Sequence, residues 1–370
     1  MSRPAFEPPA RILLGPGPST VPARVLEALG KTTLSHLDPA YLGLMDEVQQ
    51  RLRRVFRTQN EATLFLPGTG TSGMEAAVVN LIEPGDLVVA AVAGYFGARL
   101  AEVAERQGAT VRRVEAPWGE VVAAQTVAAE LARHERVAAL LLVHAETSTG
   151  AHQPVEEISR LAREAGALTI VDAVTSLGGV PVEVDGWGID ACYSCSQKCL
   201  SAPPGLAPVT FSPAALEKIA ARKGPCRSFY LDLGLHLKYW GPERMYHHTA
   251  PSNLGYALLE GLRLLEEEGL ENSFARHREQ HVRLRQGLEA LGLRYIPERS
   301  LPHLNAVLIP DGADDLAVRK RLLADYGIEI GAGLGPFKGR AWRIGIMGAS
   351  CTAENVDALL AALGEILGQI

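Results

Sequence analysis

The sequence predicts an α/β protein built on a mostly parallel β-sheet flanked by helices. Between Ala62 and Phe211, short and continuously apolar segments alternate with amphipathic helical ones. Strands buried on both faces read as uninterrupted apolar runs, and helices return the chain between them. The second observation is size. At 370 residues, 47% hydrophobic and 21% charged, the chain can bury a large core and divide into about two domains.

Taken in order, the strand candidates of the first unit are residues 63–66, 87–92, 111–114, 138–143, 168–171 and 209–211. The helical stretches between them include 72–82, 97–107, 126–134 and 155–165. Leu254, Ala257, Leu258, Leu262 and Leu265 then recur at helical spacing, so 251–268 reads as a long helix leaving that unit. From about Asn272 a second, α+β unit opens with a helical segment and continues through strands at 304–309 and 341–346. It closes with a helix whose Val356, Leu359, Leu360, Leu363 and Leu367 share one face behind a Thr352 cap. The expected division is an N-terminal extension 1–20, a large domain 21–268 and a small domain 269–370.

Composition excludes several function classes. Lysine and arginine number 36 against 42 acidic residues, a net charge of −6, which argues against a nucleic-acid or anionic-membrane binder. No apolar run approaches the ~18 residues of a membrane span. Prolines stand where a secretory signal needs an apolar helix, so the expected location is the cytoplasm. The five cysteines are odd in number. Cys192, Cys195 and Cys199 form a C-x2-C-x3-C run without a second ligand pair, which reads as buried reduced thiols rather than a metal site. His277 and His281 stand four apart, but Glu279 is misplaced for a zinc-protease helix. They read as a solvated helix face, and no metal is expected.

Ligands of open α/β sheets bind outside the carboxyl ends of the strands, and four features fall at such places. The glycine-rich run Leu66-Pro67-Gly68-Thr69-Gly70-Thr71-Ser72-Gly73 leads into a helix, where free N–H groups suit an anion. It is neither a Walker loop nor a G-x-G-x-x-G loop. Asp172 closes an apolar strand and needs a cationic partner. Lys198 lies in a small, apolar, turn-rich setting, and a desolvated lysine is a usable nucleophile and base. Arg343, within an apolar strand, needs an anion, and its planar fork suits a carboxylate. Anion loop, strand-end acid, recessed lysine and late arginine are, in this order, what a pyridoxal phosphate enzyme requires.

At these residues the chain resembles the class V aminotransferases of fold type I, and within them the alanine–glyoxylate and serine–pyruvate branch. The resemblance runs from Gly15-Pro16-Gly17-Pro18-Ser19 through Glu146-Thr147-Ser148-Thr149-Gly150 and Val171-Asp172-Ala173-Val174-Thr175-Ser176. It continues through Tyr193-Ser194-Cys195-Ser196-Gln197-Lys198 to Tyr246-His247-His248-Thr249 and Arg343-Ile344-Gly345. It implies a large domain with a mostly parallel mixed sheet plus a smaller C-terminal α+β domain, and pyridoxal 5'-phosphate as cofactor. Lys198 would carry the Schiff base, with Asp172 at the pyridine nitrogen. Thr69, Gly70, Thr71 and Gln197 would line the phosphate, and Thr147 would approach the ring hydroxyl. Phe96 stands where the family often has a stacking tryptophan, and Thr71 where a histidine is common. Arg343 and Gly17 would meet the substrate. Tyr246 and Thr249 would reach the cofactor of a partner subunit, which implies a homodimer with shared sites.

The implied reaction is a ping-pong exchange of an amino group between a small amino acid, alanine or serine, and glyoxylate or pyruvate. Alanine with glyoxylate is the leading expectation. Serine–glyoxylate, serine–pyruvate and 2-aminoethylphosphonate transamination are the alternatives. A cysteine desulfurase is a remoter one, since Gln197 precedes Lys198 where that activity pairs a histidine with the lysine. Remoter again is a non-catalytic metal-binding scaffold. The sequence offers one carboxylate clamp, Arg343, and no evident second arginine for a side-chain acid, so aspartate and glutamate are not expected donors.

Overall fold

The computed structural model describes residues 6–369. Its centre is a seven-stranded sheet in the spatial order Ala62–Pro67, Leu206–Phe211, Ala191–Tyr193, Leu168–Asp172, Ala139–Val143, Leu87–Val92, Thr110–Glu115. Leu206–Phe211 runs antiparallel to both of its neighbours, and the other adjacent pairs are parallel. Six strands therefore point one way, and Pro67, Val92, Val143, Asp172 and Tyr193 end on the same edge. The inner strands are buried along almost their whole length, which is why they read as plain apolar runs. The edge strand Thr110–Glu115 carries Arg112, Arg113 and Glu115 outward, a charged rim that discourages pairing with another chain.

A second, four-stranded sheet orders Arg294–Tyr295, Leu304–Leu308, Ala341–Gly345 and Gly331–Ala332, all antiparallel. The helices Leu270–Ala290 and Ala353–Leu367 pack on its core through Leu284, Leu288, Leu359 and Leu363. Thr352 caps the last helix by accepting from Asn355 N at 3.2 Å, as expected. The helices Ser252–Glu268 and Leu270–Ala290 are separated by Gly269 alone, whose φ of +84° suits glycine.

The N-terminal segment joins the two cores. Ile12–Leu13 adds a parallel pair to Ile328–Glu329, and Leu14 is buried in the small core. Gly345 N donates to Leu14 O at 2.8 Å. A few residues on, Ser19 N donates to Gln197 O at 2.9 Å and Ser19 Oγ to Lys198 O at 2.7 Å. The segment is thus a strap from the small sheet to the turn that holds Lys198.

One expectation fails outright. His277 is fully buried, and His281 is half-buried with Nδ1 2.7 Å from Asn305 Oδ1. His277 Nδ1 lies 2.7 Å from Ser273 O, and its Nε2 accepts from Gly348 N at 3.0 Å. The pair faces inward because the helix they share carries polar residues on its buried side. Apolar periodicity alone could not orient it. Ala191–Tyr193 was also not anticipated, being three residues long between turns.

Candidate active site

The carboxyl edge of the large sheet opens into a cavity of about 160 Å³. Thr69, Gly70, Thr71, Phe96, Thr147, Asp172, Gln197 and Lys198 all line it. These are eight of the ten cofactor residues expected from the sequence. Tyr246 and Thr249 lie elsewhere, exposed on the outside of this chain.

Asp172 ends its strand directly beside Tyr193 of the neighbouring parallel strand. Tyr193 Oη donates to Asp172 Oδ2 at 3.0 Å, and Val174 N donates to Oδ1 at 2.8 Å. Burial nonetheless dominates and pushes the carboxyl up to about 7, with the two donors and the charge of Lys198 pulling it back. Among the described residues no cation forms an ion pair with this buried acid, and the charge of Lys198 only partly offsets its burial. The face it turns to the cavity is where a cation belongs.

Lys198 sits in the turn between Ala191–Tyr193 and Leu206–Phe211. Its ammonium donates to the carbonyl of Pro16 on the N-terminal strap. The cavity mouth leaves the residue partly exposed, but the amine is enclosed, and desolvation lowers its pKa. The strap reaches this close only through Gly17, at φ +113°, where a Cβ would fall 2.5 Å from Nζ. Gly17 therefore shapes the space around the amine.

The anion end is built at the start of the helix Gly70–Leu81, whose first N–H groups lack intrahelical partners. A Cβ on Gly70 would lie 2.7 Å from Val174 Cγ2, so only glycine lets this turn close on the site. Gln197 Oε1 is buried without a hydrogen-bond partner, a polar atom that awaits a ligand donor or water.

Phe96 lies in the first turn of the helix Tyr95–Gln107, and a buried carboxylate holds that turn. Glu146 accepts from Phe96 N at 3.3 Å, Gly97 N at 3.1 Å and Ser148 N at 3.0 Å. It acts as an anion at a helix N-terminus, and burial raises its pKa. Thr147 Oγ1 lies 2.6 Å from Thr175 Oγ1. Arg343 stands behind this wall, with Nη1 donating to Thr147 O at 3.2 Å and Nε to Ala332 O at 2.7 Å. It is 9% exposed, desolvation brings it down to about 10, and among the described residues it forms no ion pair. It is a buried cation without a paired carboxylate, though it is not among the residues that line the cavity.

Sequence reasoning missed Tyr193, Glu146 and Thr175 as supports, and it missed Arg99. The expectation of one arginine in the site is corrected. Arg99 lines the same cavity, with its guanidinium carbon 5.3 Å from the Phe96 ring centre and 4.9 Å from that of Tyr95. The signal was present. Three residues after Phe96 on a helix is the same face one turn on.

Cys192, Cys195 and Cys199 are buried free thiols, as expected. Cys195 Sγ is aimed at Val174 O and Cys199 Sγ at Thr175 O, so the two do not converge.

A planar aromatic ring with a basic nitrogen, a phosphate arm and a carbonyl for Lys198 fits this donor set. Asp172 lies at one wall, the glycine turn with Gln197 at another, and Phe96 supplies an apolar face. Pyridoxal phosphate has these parts.

Comparison with known proteins agrees. The family described as Aminotransferase class-V matches residues 12–359. The chain is 43% identical to the alanine–glyoxylate aminotransferase of Callithrix jacchus, over 97% of this chain and 88% of that protein. It is 41% identical to the (S)-ureidoglycine–glyoxylate transaminase of Bacillus subtilis, over 97% of this chain and 91% of the other. The crystal structure of an alanine–glyoxylate aminotransferase from Nostoc sp. superposes with a TM-score of 0.97 at 50% identity, over 99% of this chain and 98% of that one.

Proposed function

The chain belongs to the class V aminotransferases, pyridoxal phosphate-dependent enzymes of fold type I, and from that premise we propose that it moves the amino group of alanine to glyoxylate. The observation that carries the site assignment is the common cavity of Lys198 and Asp172 at one sheet edge. Serine as donor and pyruvate as acceptor are the nearest alternatives within this reading.

Bound there, pyridoxal phosphate supplies a carbonyl that condenses with amines and a ring that accepts electron density. Lys198 would be its point of attachment and the base positioned for the substrate Cα proton. Desolvation keeps that amine closer to neutral than a surface lysine, which suits both tasks. The same Nζ would carry that proton within the cavity. Asp172 holds the ring nitrogen charged. Thr69, Gly70, Thr71 and Gln197 bind the phosphate, Thr147 meets the ring hydroxyl and Phe96 covers the ring. Arg343 takes the substrate carboxylate beside Gly17, and the low exposure of its guanidinium strengthens that pair. Tyr246 and Thr249 complete the phosphate site of a partner in a homodimer. We place this dimer in the cytoplasm. Among the described residues no helix is long and apolar enough to cross a membrane. We divide the chain into an extension 1–20, a cofactor domain 21–268 and a small domain 269–370.

Arg99 favours a second reading of the donor. A cation at the cavity rim suits a substrate with an oxygen-bearing far end, such as the carboxylate of aspartate or the ureido group named for the Bacillus subtilis relative. Comparing kcat/KM for alanine, serine, aspartate and ureidoglycine with glyoxylate decides between them. Alanine is expected to lead, and a clear preference for aspartate or ureidoglycine would transfer the assignment. In the same assay Lys198→Ala should lose at least about 10³-fold in turnover together with the visible cofactor absorption. Normal turnover by this variant refutes the role given to Lys198.

A further inference from the structure

Beneath the exposed Tyr246, three histidine rings pack against one another. His236 comes from the helix Leu233–Trp240, and His247 and His248 come from the segment that carries Tyr246. All three are buried, His236 completely. Ring centres are 4.4 Å apart for His236 and His247, 5.1 Å for His236 and His248, and 5.0 Å for His247 and His248. One ring nitrogen from each lies within 4.8 Å of the other two.

Hydrogen bonds decide where the protons are. Nε2 of His236 lies 2.7 Å from Tyr230 O, and Nε2 of His247 lies 3.1 Å from Phe229 O. A carbonyl only accepts, so both Nε2 atoms are protonated and each Nδ1 holds a lone pair. Nδ1 of His236 is buried with no partner. Nδ1 of His247 is 2.8 Å from Nδ1 of His248, which leaves one proton between them. An outer N–H fixed on a backbone carbonyl with the inner nitrogen left free is how metal-binding histidines are oriented.

We propose that His236, His247 and His248 bind a divalent transition-metal ion, with zinc as the type case, which fastens the helix Leu233–Trp240 to the segment bearing Tyr246. Zinc–nitrogen bonds of about 2.0–2.1 Å put tetrahedral ligands roughly 3.4 Å apart. Rings already this close reach that spacing by small rotations. An all-imidazole set selects zinc, cobalt, nickel or copper over magnesium or calcium, which take oxygen ligands. Three protein ligands leave a fourth position for water. None of the three histidines lines the cavity around Lys198, so the ion's role is to fasten the fold, apart from the chemistry at Lys198.

Holoenzyme freed of metal by a chelator and then titrated calorimetrically with Zn²⁺ is expected to bind one ion per protomer. His236→Leu, which keeps apolar volume in place of the ring, should weaken that binding at least about tenfold while turnover with saturating cofactor is unchanged. Zn²⁺ should raise the unfolding temperature of the wild type and not of the variant. X-ray absorption at the zinc edge of the loaded wild type should report imidazole nitrogens and no sulfur, a readout that does not require the variant to fold. Absence of stoichiometric binding overturns the proposal. So does undiminished affinity in folded His236→Leu, or sulfur among the ligands.

Discussion

Two regions of the molecule hold sequence-predicted cofactor residues in opposite ways. At the carboxyl edge of the large sheet, Asp172, Thr147, Gln197 and Lys198 are surrounded by their own chain. Strand register fixes Asp172 beside Tyr193, and the N-terminal strap closes over Lys198. In the segment before the helix Ser252–Glu268, Tyr246 is 58% exposed and Thr249 is also outside. Met245, at 51%, is exposed beside Tyr246, and Phe229, at 73%, is exposed ahead of the helix Leu233–Trp240 with its ring 5.4 Å from that of His247. A lone exposed apolar side chain means little, but several together mark an interaction surface. The sheet edge brings eight of the ten expected cofactor residues together within one chain. The second region has pieces of a site that another chain must finish, as the proposed homodimer requires.

The sharpest way to break the first half of that contrast is Asp172→Asn, which keeps shape and removes charge. Loss of electrostatic support for the ring nitrogen should cost about 10²–10³ in kcat/KM. The same variant carries a stability signature in the cofactor-free protein. Burial pushes Asp172 up to about 7, whereas an unfolded aspartate titrates near 4 (about 3.9). Between those values the folded chain keeps a proton that the unfolded chain has lost, so this group's contribution to stability falls as pH rises. Asp172→Asn removes that fall. Relative to wild type, the cofactor-free variant should be more stable at pH 8 than at pH 4. Urea midpoints across that range check it, and a difference independent of pH would mean that the carboxyl is not isolated in the way described.

The second half is broken or sharpened by mixing subunits. Tyr246→Phe with Thr249→Ala removes two hydrogen bonds to an anion worth about 1.5–3 kcal/mol each, so cofactor affinity should fall at least about 100-fold. Refolding this double variant with Lys198→Ala, at limiting cofactor, tests whose site the two residues serve. If they reach across, each mixed dimer has one native site, and about a quarter of all sites recover. If they serve their own chain, mixing restores nothing.

The same contrast explains what was legible in the sequence. The strands Leu87–Val92 and Leu168–Asp172 could be read because both faces are buried and no alternation blurs the run. Asp172, Lys198 and Arg343 stood out because charges are rare in such settings. Their supports did not, since Tyr193 and Glu146 act through neighbours that only strand register and chain reversal supply. Arg99 was hidden by its surroundings, an amphipathic helix whose other arginine, Arg106, is exposed. His277 was misread because a buried polar helix face has no apolar pattern to announce it. The roles of Tyr246 and Thr249 came from family resemblance alone, because nothing in their own spacing specifies a neighbour on another chain.

The smallest expected effect tests whether the sheet edge is tuned as well as assembled. Tyr193→Phe keeps the ring, which is buried against the large core, and deletes only the 3.0 Å hydrogen bond to Asp172 Oδ2. A donor to a carboxylate stabilises its charged form, so its loss raises the Asp172 pKa further above its present value. A hydrogen bond to a charged group is worth about 1.5 kcal/mol at the low end, which corresponds to roughly one pKa unit. At neutral pH more of the cofactor-free variant then carries a protonated Asp172, which cannot pair with a cationic ring nitrogen. The acid limb of cofactor binding should therefore move to higher pH by up to about one unit, with little change in affinity at pH 9. Fluorescence titration of the cofactor-free protein with pyridoxal phosphate from pH 6 to 9 measures this. A uniform loss of affinity at every pH would instead assign Tyr193 to packing, and would leave Asp172 set by burial and Val174 N alone.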